Sequence, residues 1–224
     1  MIDEQFIHYI SDELSNIKKE FEKIKVKHMP KITVGTQKPE FVNVNKNKQV
    51  MKKYKVLFAD LDGTLIETIS GDTFPKGIWD MRIRFDVLDA IKQLNPDFVF
   101  IISNQGGIEL GYVKNMSFVS KCNYVRYIIE DYCGNNIRSA FSYCKSNDKN
   151  NPRRKPNTGM IEDFYHGYIE GFDFNKKDAL MIGDASGKEG QFSDSDKKTA
   201  ENFGIDYLDV EDFVKGMRYE NNQE

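Results

Sequence analysis

Hydrophobic and polar positions divide the chain into two textures. Over residues 3–27 the apolar side chains Phe6, Ile7, Ile10, Leu14, Ile17, Phe21 and Ile24 recur with a 3.6-residue period, which predicts an amphipathic helix with its charges on the other face. The period is lost over 28–50, where Pro30, Gly35 and Pro39 interrupt and a polar, basic run begins at Asn43; this stretch reads as a connecting arm. From Tyr54 onward short apolar runs alternate with longer amphipathic segments. Runs at 55–60, 98–103, 137–143 and 179–184 predict strands, and segments at 84–94, 117–132, 158–168, 195–203 and 210–217 predict helices. Strands alternating with helices predict an α/β fold with a doubly wound parallel sheet. The expected organisation is an N-terminal helix and arm over 1–50, then one α/β domain over 51–224.

Composition narrows the classes. Of the 224 residues 39% are hydrophobic and 30% charged, enough for a packed core under a solvated surface. The longest apolar stretches, such as 98–102, are too short to span a bilayer, and the first residues lack the basic and apolar regions of a signal peptide. Cys122, Cys133 and Cys144 are odd in number and show no C-x-x-C spacing, which argues against a disulfide framework and a thiolate zinc site. Three histidines leave little material for a histidine triad. An intracellular setting, cytoplasmic or nuclear, is expected. The formal net charge of −3 gives no global attraction to nucleic acid, so any such binding must use a local basic patch.

The candidate chemistry falls where strands end. Asp60-Leu61-Asp62-Gly63-Thr64 follows the first strand, and two carboxylates two residues apart on a strand point the same way. In an open α/β sheet, ligands bind in the crevice beyond the carboxyl ends of the strands. The second strand runs into Ser103-Asn104-Gln105-Gly106-Gly107, a hydroxyl and glycine-freed N–H groups suited to a phosphate oxygen. Further on come Arg154-Lys155-Pro156 and, after the fourth strand, Gly183-Asp184. An aspartate attacking a phosphate dianion meets strong repulsion, which a divalent cation and a lysine would offset. Asp60 and Asp184 would hold that cation, with Lys155 and Ser103 on the phosphate oxygens. An all-oxygen ligand set favours Mg²⁺. Asp62 is placed to protonate the leaving oxygen and later activate water. Gly183 to Lys188 is no Walker-type loop, because the glycine spacing is too short and Glu189 follows the lysine.

This order of motifs resembles the haloacid dehalogenase-like (HAD) phosphohydrolases. Within them it resembles the polynucleotide 3'-phosphatase branch, through Thr64-Leu65-Ile66-Glu67-Thr68 and the following segment to Pro75, the Trp79-Asp80 pair, Lys155-Pro156-Asn157-Thr158-Gly159-Met160, and Gly183-Asp184-Ala185-Ser186-Gly187-Lys188. The resemblance covers roughly 54–214. It implies a HAD-like fold with a minimal cap, Asp60 as the nucleophile forming an aspartyl-phosphate, and Asp62 as general acid/base. It further implies Mg²⁺ held by Asp60, Asp184 and the Asp62 carbonyl, and a substrate phosphate held by Thr64, Ser103, Asn104 and Lys155. Asp194 and Asp196 would stand behind these ligands. The implied substrate is a DNA or RNA 3' end, with a role in end processing and DNA repair. One departure is Gln191-Phe192-Ser193, where the family usually has Asp-Phe-Ser; Asp194 would supply the missing charge.

Other readings stay open from sequence: a sugar or histidinol phosphate phosphatase, or a HAD scaffold that binds partners through its N-terminal helix. That helix either packs on its own domain or meets a partner or a second copy. Lys114, Arg126, Lys145, Lys149, Arg153 and Arg154 could form a basic surface. Phe74 and Trp79 could stack on a terminal base, although Trp79 reads more readily as core. Short inserts after Asp62 and Gly107 predict an open site.

Overall fold

The computed structural model describes residues 52–221 other than 73, 76, 135 and 168–172, with backbone alone at 218–221. The helix and arm expected over 1–50 lie outside the described residues. The elements, in chain order, are β1 (Val56–Ala59), β2 (Ile66–Thr68), β3 (Met81–Ile83), α1 (Phe85–Leu94), β4 (Phe98–Asn104), α2 (Gly106–Glu109), α3 (Asn115–Cys133), β5 (Arg138–Cys144), α4 (Gly159–Tyr165), β6 (Ala179–Gly183), α5 (Ser195–Phe203), β7 (Asp206–Asp209) and α6 (Val210–Asn221). The main sheet is five-stranded and parallel, in the order β5-β4-β1-β6-β7.

Burial explains why β1 and β6 read as unbroken apolar runs. Every residue of both strands is buried, as a parallel sheet covered by helices on its two faces requires. Val56 and Phe58 join Phe100, Met181, Phe164 of α4 and Phe203 of α5 in one aromatic-rich cluster. Phe100 and Phe164 stack with centroids 4.1 Å apart. Leu57 and Ala59, at the alternate positions, are buried as well. Outside the sheet, α1 packs on α3 and α6, which rest on β5 and on β6 and β7 respectively. No helix among the described residues is long and apolar enough to cross a membrane.

The strand order places the reversal of winding between β1 and β6, the point at which open α/β sheets bind ligands. Register does the rest. Ala59 pairs with Ile101 on one side and Ile182 on the other, so Asp60, the segment from Ser103 and Asp184 leave the sheet at the same edge.

Two features depart from the sequence expectation. The edge strand β7, Asp-Tyr-Leu-Asp, had not been expected, because its outer position leaves it half polar. The insert after Asp62 is an antiparallel pair, β2 with β3, of three residues each. A pair this small has no interior, and Trp79 on it is 73% exposed, not core. The hairpin is tied instead by polar contacts. Asp80 accepts from Ser70 N and Oγ at 2.8 and 3.0 Å, and the buried Arg84 reaches Asp86 and Glu211, each at 2.8 Å. The connection after α2 is a short turn leading into α3, so no cap domain stands among the described residues.

Candidate active site

At the end of β1 the chain delivers Asp60, 7% exposed, and Asp62. Between them and Thr64 the backbone turns at Gly63, whose φ of +90° excludes most side chains. A Cβ there would also sit 2.2 Å from Asp184 Oδ2, so the glycine is what lets Asp184 come close. Gly183 does the same for Asp196: a Cβ on it would lie 2.2 Å from Asp196 Oδ2. Asp196 enters from the first turn of α5, and its Oδ2 accepts the Ala185 N–H at 3.1 Å.

Asp60, Asp184 and Asp196 each offer an oxygen, and these atoms lie within 4.8 Å of one another. Asp196 therefore stands with the other two acids, not behind them. Asp194, two residues earlier in the chain, is paired with Lys198 at 2.6 Å with its side chain 44% exposed. The donor set is hard and anionic, and the two glycine cradles hold it close-packed; these residues fit Mg²⁺.

Lys155 stands among these acids, 4% exposed, and its Nζ donates to Asp60 Oδ1 and to Asp196 Oδ1, the latter at 2.7 Å. Asn104 places it: its Oδ1 accepts the Lys155 N–H at 2.9 Å and its Nδ2 donates to the Lys155 carbonyl at 3.0 Å. The Asn104 side chain, expected on the substrate phosphate, thus grips the lysine's backbone. Ser103 Oγ accepts from Gln105 Nε2 at 2.9 Å, and the fully buried Thr64 Oγ1 has no hydrogen-bond partner.

The electrostatics follow from burial. Burial pushes the Asp60 carboxyl well above the usual carboxylate range, with Asp196 and Asp184 adding to the rise and Lys155 opposing it. Asp184 is pushed up to about 6, first by burial and then by Asp196. Burial works against the charge of Lys155, but Asp196 and Asp60 outweigh it and hold its pKa above that of an ordinary lysine.

Sequence reasoning missed two residues here. Asp62 Oδ1 accepts from Lys121 Nζ at 2.8 Å, and its Oδ2 accepts from Gln105 Nε2 at 2.7 Å. In the sequence Gln105 reads only as part of the turn after β4. Lys121 did carry a signal: it occupies the buried stripe of α3 with Phe118, Cys122, Val125 and Ile129.

Gln191 is also explained. Its Oε1 accepts the Ser186 and Lys188 N–H groups at 2.8 and 3.1 Å, and its Nε2 donates to Asp209 Oδ2 at 2.8 Å. A carboxylate at 191 would instead face Asp209, whose pKa is held down to about 2: hydrogen bonds from Ser186, Lys188 and Gln191 outweigh its burial. Of the expected basic surface, Arg153 pairs with Asp163 and Arg126 donates to the Ser139 carbonyl at 2.9 Å, while Lys114, Lys145 and Lys149 are exposed.

Comparison with known proteins places the chain in a family. The family model described as polynucleotide kinase 3 phosphatase matches residues 55–214. The chain is 31% identical over 192 residues to the bifunctional polynucleotide phosphatase/kinase of Schizosaccharomyces pombe, covering 84% of this chain and 44% of that protein. It is 29% identical to the histidine biosynthesis bifunctional protein HisB of Campylobacter jejuni, covering 74% of this chain and 41% of that one. An uncharacterized 20.8 kDa protein of Autographa californica nuclear polyhedrosis virus is 26% identical, with 73% and 87% covered. The chain thus spans less than half the length of the two bifunctional relatives. Among solved structures, the D,D-heptose 1,7-bisphosphate phosphatase of B. bronchiseptica, complexed with magnesium and phosphate, superposes with a TM-score of 0.52 at 19% identity over 74% of this chain and 99% of that one, which shows the fold. With an acid cluster at the winding reversal of a HAD-like sheet and a family match over most of its length, the chain is a HAD-type phosphatase of the polynucleotide kinase 3 phosphatase family.

Proposed function

We propose that this chain removes the 3'-phosphate from nucleic-acid ends, with Asp60 as nucleophile and Asp62 as general acid and base. The observation that carries the chemistry is Lys155 buried between Asp60 and Asp196, with Asp184 beside them. Asp60 attacks phosphorus while the bond from phosphorus to the 3' oxygen breaks, and that oxygen leaves as an alcohol with the proton of Asp62. Asp62 then takes a proton from water as the water oxygen attacks the aspartyl-phosphate. The bond to Asp60 breaks and inorganic phosphate departs. Lys155, Ser103 and Thr64 would hold the non-bridging oxygens; the buried, unpartnered Thr64 hydroxyl suits that role. Asp60, Asp184 and Asp196 would hold Mg²⁺, which when bound supplies positive charge at the phosphate.

Support for a polymer end comes from the family and from the surface. Among the described residues nine large hydrophobic side chains are exposed, and seven of them lie in the hairpin between β1 and α1 (Ile69, Phe74, Trp79), in the turn after α2 and the first turn of α3 (Leu110, Tyr112, Met116), or in the loop between β6 and α5 (Phe192). Aromatic and apolar side chains at the edge that carries the site suit unstacked bases. Similarity to HisB favours a second reading, a small phosphomonoester as substrate.

Phosphate release from a 3'-phosphorylated oligonucleotide with Mg²⁺ tests the proposal, beside a 5'-phosphorylated one and a panel of sugar and histidinol phosphates. Turnover of the 3' end alone, abolished in Asp60→Asn, is the expected result. Turnover of the small esters alone would overturn the substrate and keep the chemistry.

A further inference from the structure

Lys121 is a charged residue in an apolar stripe. On α3 it shares the inward face with Phe118, Cys122, Val125 and Ile129, and it is 6% exposed. An ammonium at such a position is stable only when paired. Its Nζ lies 2.8 Å from Asp62 Oδ1 and 5.4 Å from the centroid of the Phe118 ring. The second oxygen of Asp62 accepts from Gln105 Nε2, which also reaches Ser103 Oγ. Both oxygens are thus engaged, one from a 19-residue helix and one from the residue that follows β4. The Asp62 side chain is only 7% exposed.

We propose that Lys121 is a positioning residue, fixing the carboxyl group of Asp62 for proton transfer at the ester oxygen; the inference rests on the phosphatase reading of Asp62 given above. In the first half-reaction the ester P–O bond breaks with its electron pair going to the leaving oxygen, which takes the proton of Asp62. That transfer needs the carboxyl within about 3 Å of the oxygen, and a displacement near 1 Å costs on the order of 10²-fold. A phenolate that leaves readily needs no such proton. An alkoxide does. Loss of Lys121 therefore acts on alkyl esters and spares aryl esters, whereas a side chain that merely filled the core would affect both alike.

The test compares kcat/KM, which reports formation of the aspartyl-phosphate, for p-nitrophenyl phosphate and for a 3'-phosphorylated oligonucleotide. If the oligonucleotide is not a substrate, an alkyl phosphate that the wild type does turn over replaces it. In Lys121→Met the alkyl ester is expected to lose about 10–100-fold and the aryl ester under about 3-fold, with Lys121→Arg recovering most of the difference. Lys121→Gln, a neutral donor, carries the same ratio test if the methionine variant does not fold. Equal losses on both esters, or no loss on the alkyl ester, would overturn the proposal. Asp62→Asn separates the two levels. If Asp62→Asn is selective for the alkyl ester and Lys121→Met is not, this inference alone fails; if Asp62→Asn is not selective, the role of Asp62 fails and this inference with it.

Discussion

Replacing Lys155 by Met tests the electrostatic design of the site without emptying the space its stem fills. The ammonium is 4% exposed and bridges Asp60 and Asp196, both buried. Breaking a buried pair costs about 3–5 kcal/mol, because the partner charge is left uncompensated. The cost has a ceiling, since a stranded carboxylate takes up a proton instead. Protonating a carboxyl of ordinary pKa ~3.9 at pH 7 costs about 4 kcal/mol, at 1.36 kcal/mol per pH unit. At pH 5 that ceiling falls by about 2.7 kcal/mol. The expected loss is therefore about 3–4 kcal/mol at pH 7, roughly 6–16 °C in Tm for a domain of this size, and much less at pH 5. Thermal unfolding of wild type and Lys155→Met in EDTA at both pH values measures this. Saturating Mg²⁺ at 100 times its Kd should return about 2.7 kcal/mol to any form that binds it. A deficit under about 1 kcal/mol at pH 7, or one that is unchanged at pH 5, would refute the reasoning.

Asp184, with its pKa raised to about 6, makes the metal-free protein more stable as pH falls. The native state binds more protons than the unfolded one between about pH 4 and 6, so this stabilisation is present at low pH and lost as pH rises through 6. From pH 7 to 5 the gain is about 1 kcal/mol in EDTA, and Asp184→Asn should reduce it; a Tm that falls over this interval in the wild type would contradict the assignment. Gly183→Ala forces a methyl against the Asp196 carboxylate, so Mg²⁺-dependent stabilisation in thermal unfolding should drop by about 10-fold in apparent affinity while the fold survives. Gln191→Glu sets a second carboxylate against Asp209 and should cost about 1–3 kcal/mol in denaturant unfolding, with no such cost in Gln191→Glu combined with Asp209→Asn.

The parts of the site that could be read from sequence are those fixed by strand geometry. Asp60, Ser103 and Asp184 follow apolar runs directly, and parallel register must bring such positions to one edge. Loop and helix residues are another matter, because their reach depends on packing that no local pattern encodes. Asp196 was legible as an acid, yet its place beside Asp60 depends on the missing Cβ of Gly183. The side chain of Asn104 stood at the right strand end but turns to the backbone of Lys155, a contact 51 residues away in sequence. Trp79 misled because aromatic residues are core by default, while a hairpin of three-residue strands offers no core to join. Arg84 and Lys121 show the converse: a cation in a stripe of apolar positions is a sequence signal in its own right.

The charges of the site also weigh against a scaffold that has given up chemistry. Asp60, Asp62, Asp184 and Asp196 face two buried ammonium groups, Lys155 and Lys121. With every carboxyl ionised the cluster carries two uncompensated negative charges, and the pKa values of Asp60 and Asp184, raised first by burial, are raised further by the neighbouring carboxylates. A domain selected for stability alone would lose little by replacing Asp184, the acid paired with neither ammonium, with an amide, since an uncompensated buried charge is costly to folding. A divalent cation would supply the two missing charges. With it bound the cluster would be near neutral, and a phosphate dianion could approach Asp60 without meeting a net negative field. Such a charge balance is what the proposed metal and phosphate chemistry would require, and stability alone gives no reason for it.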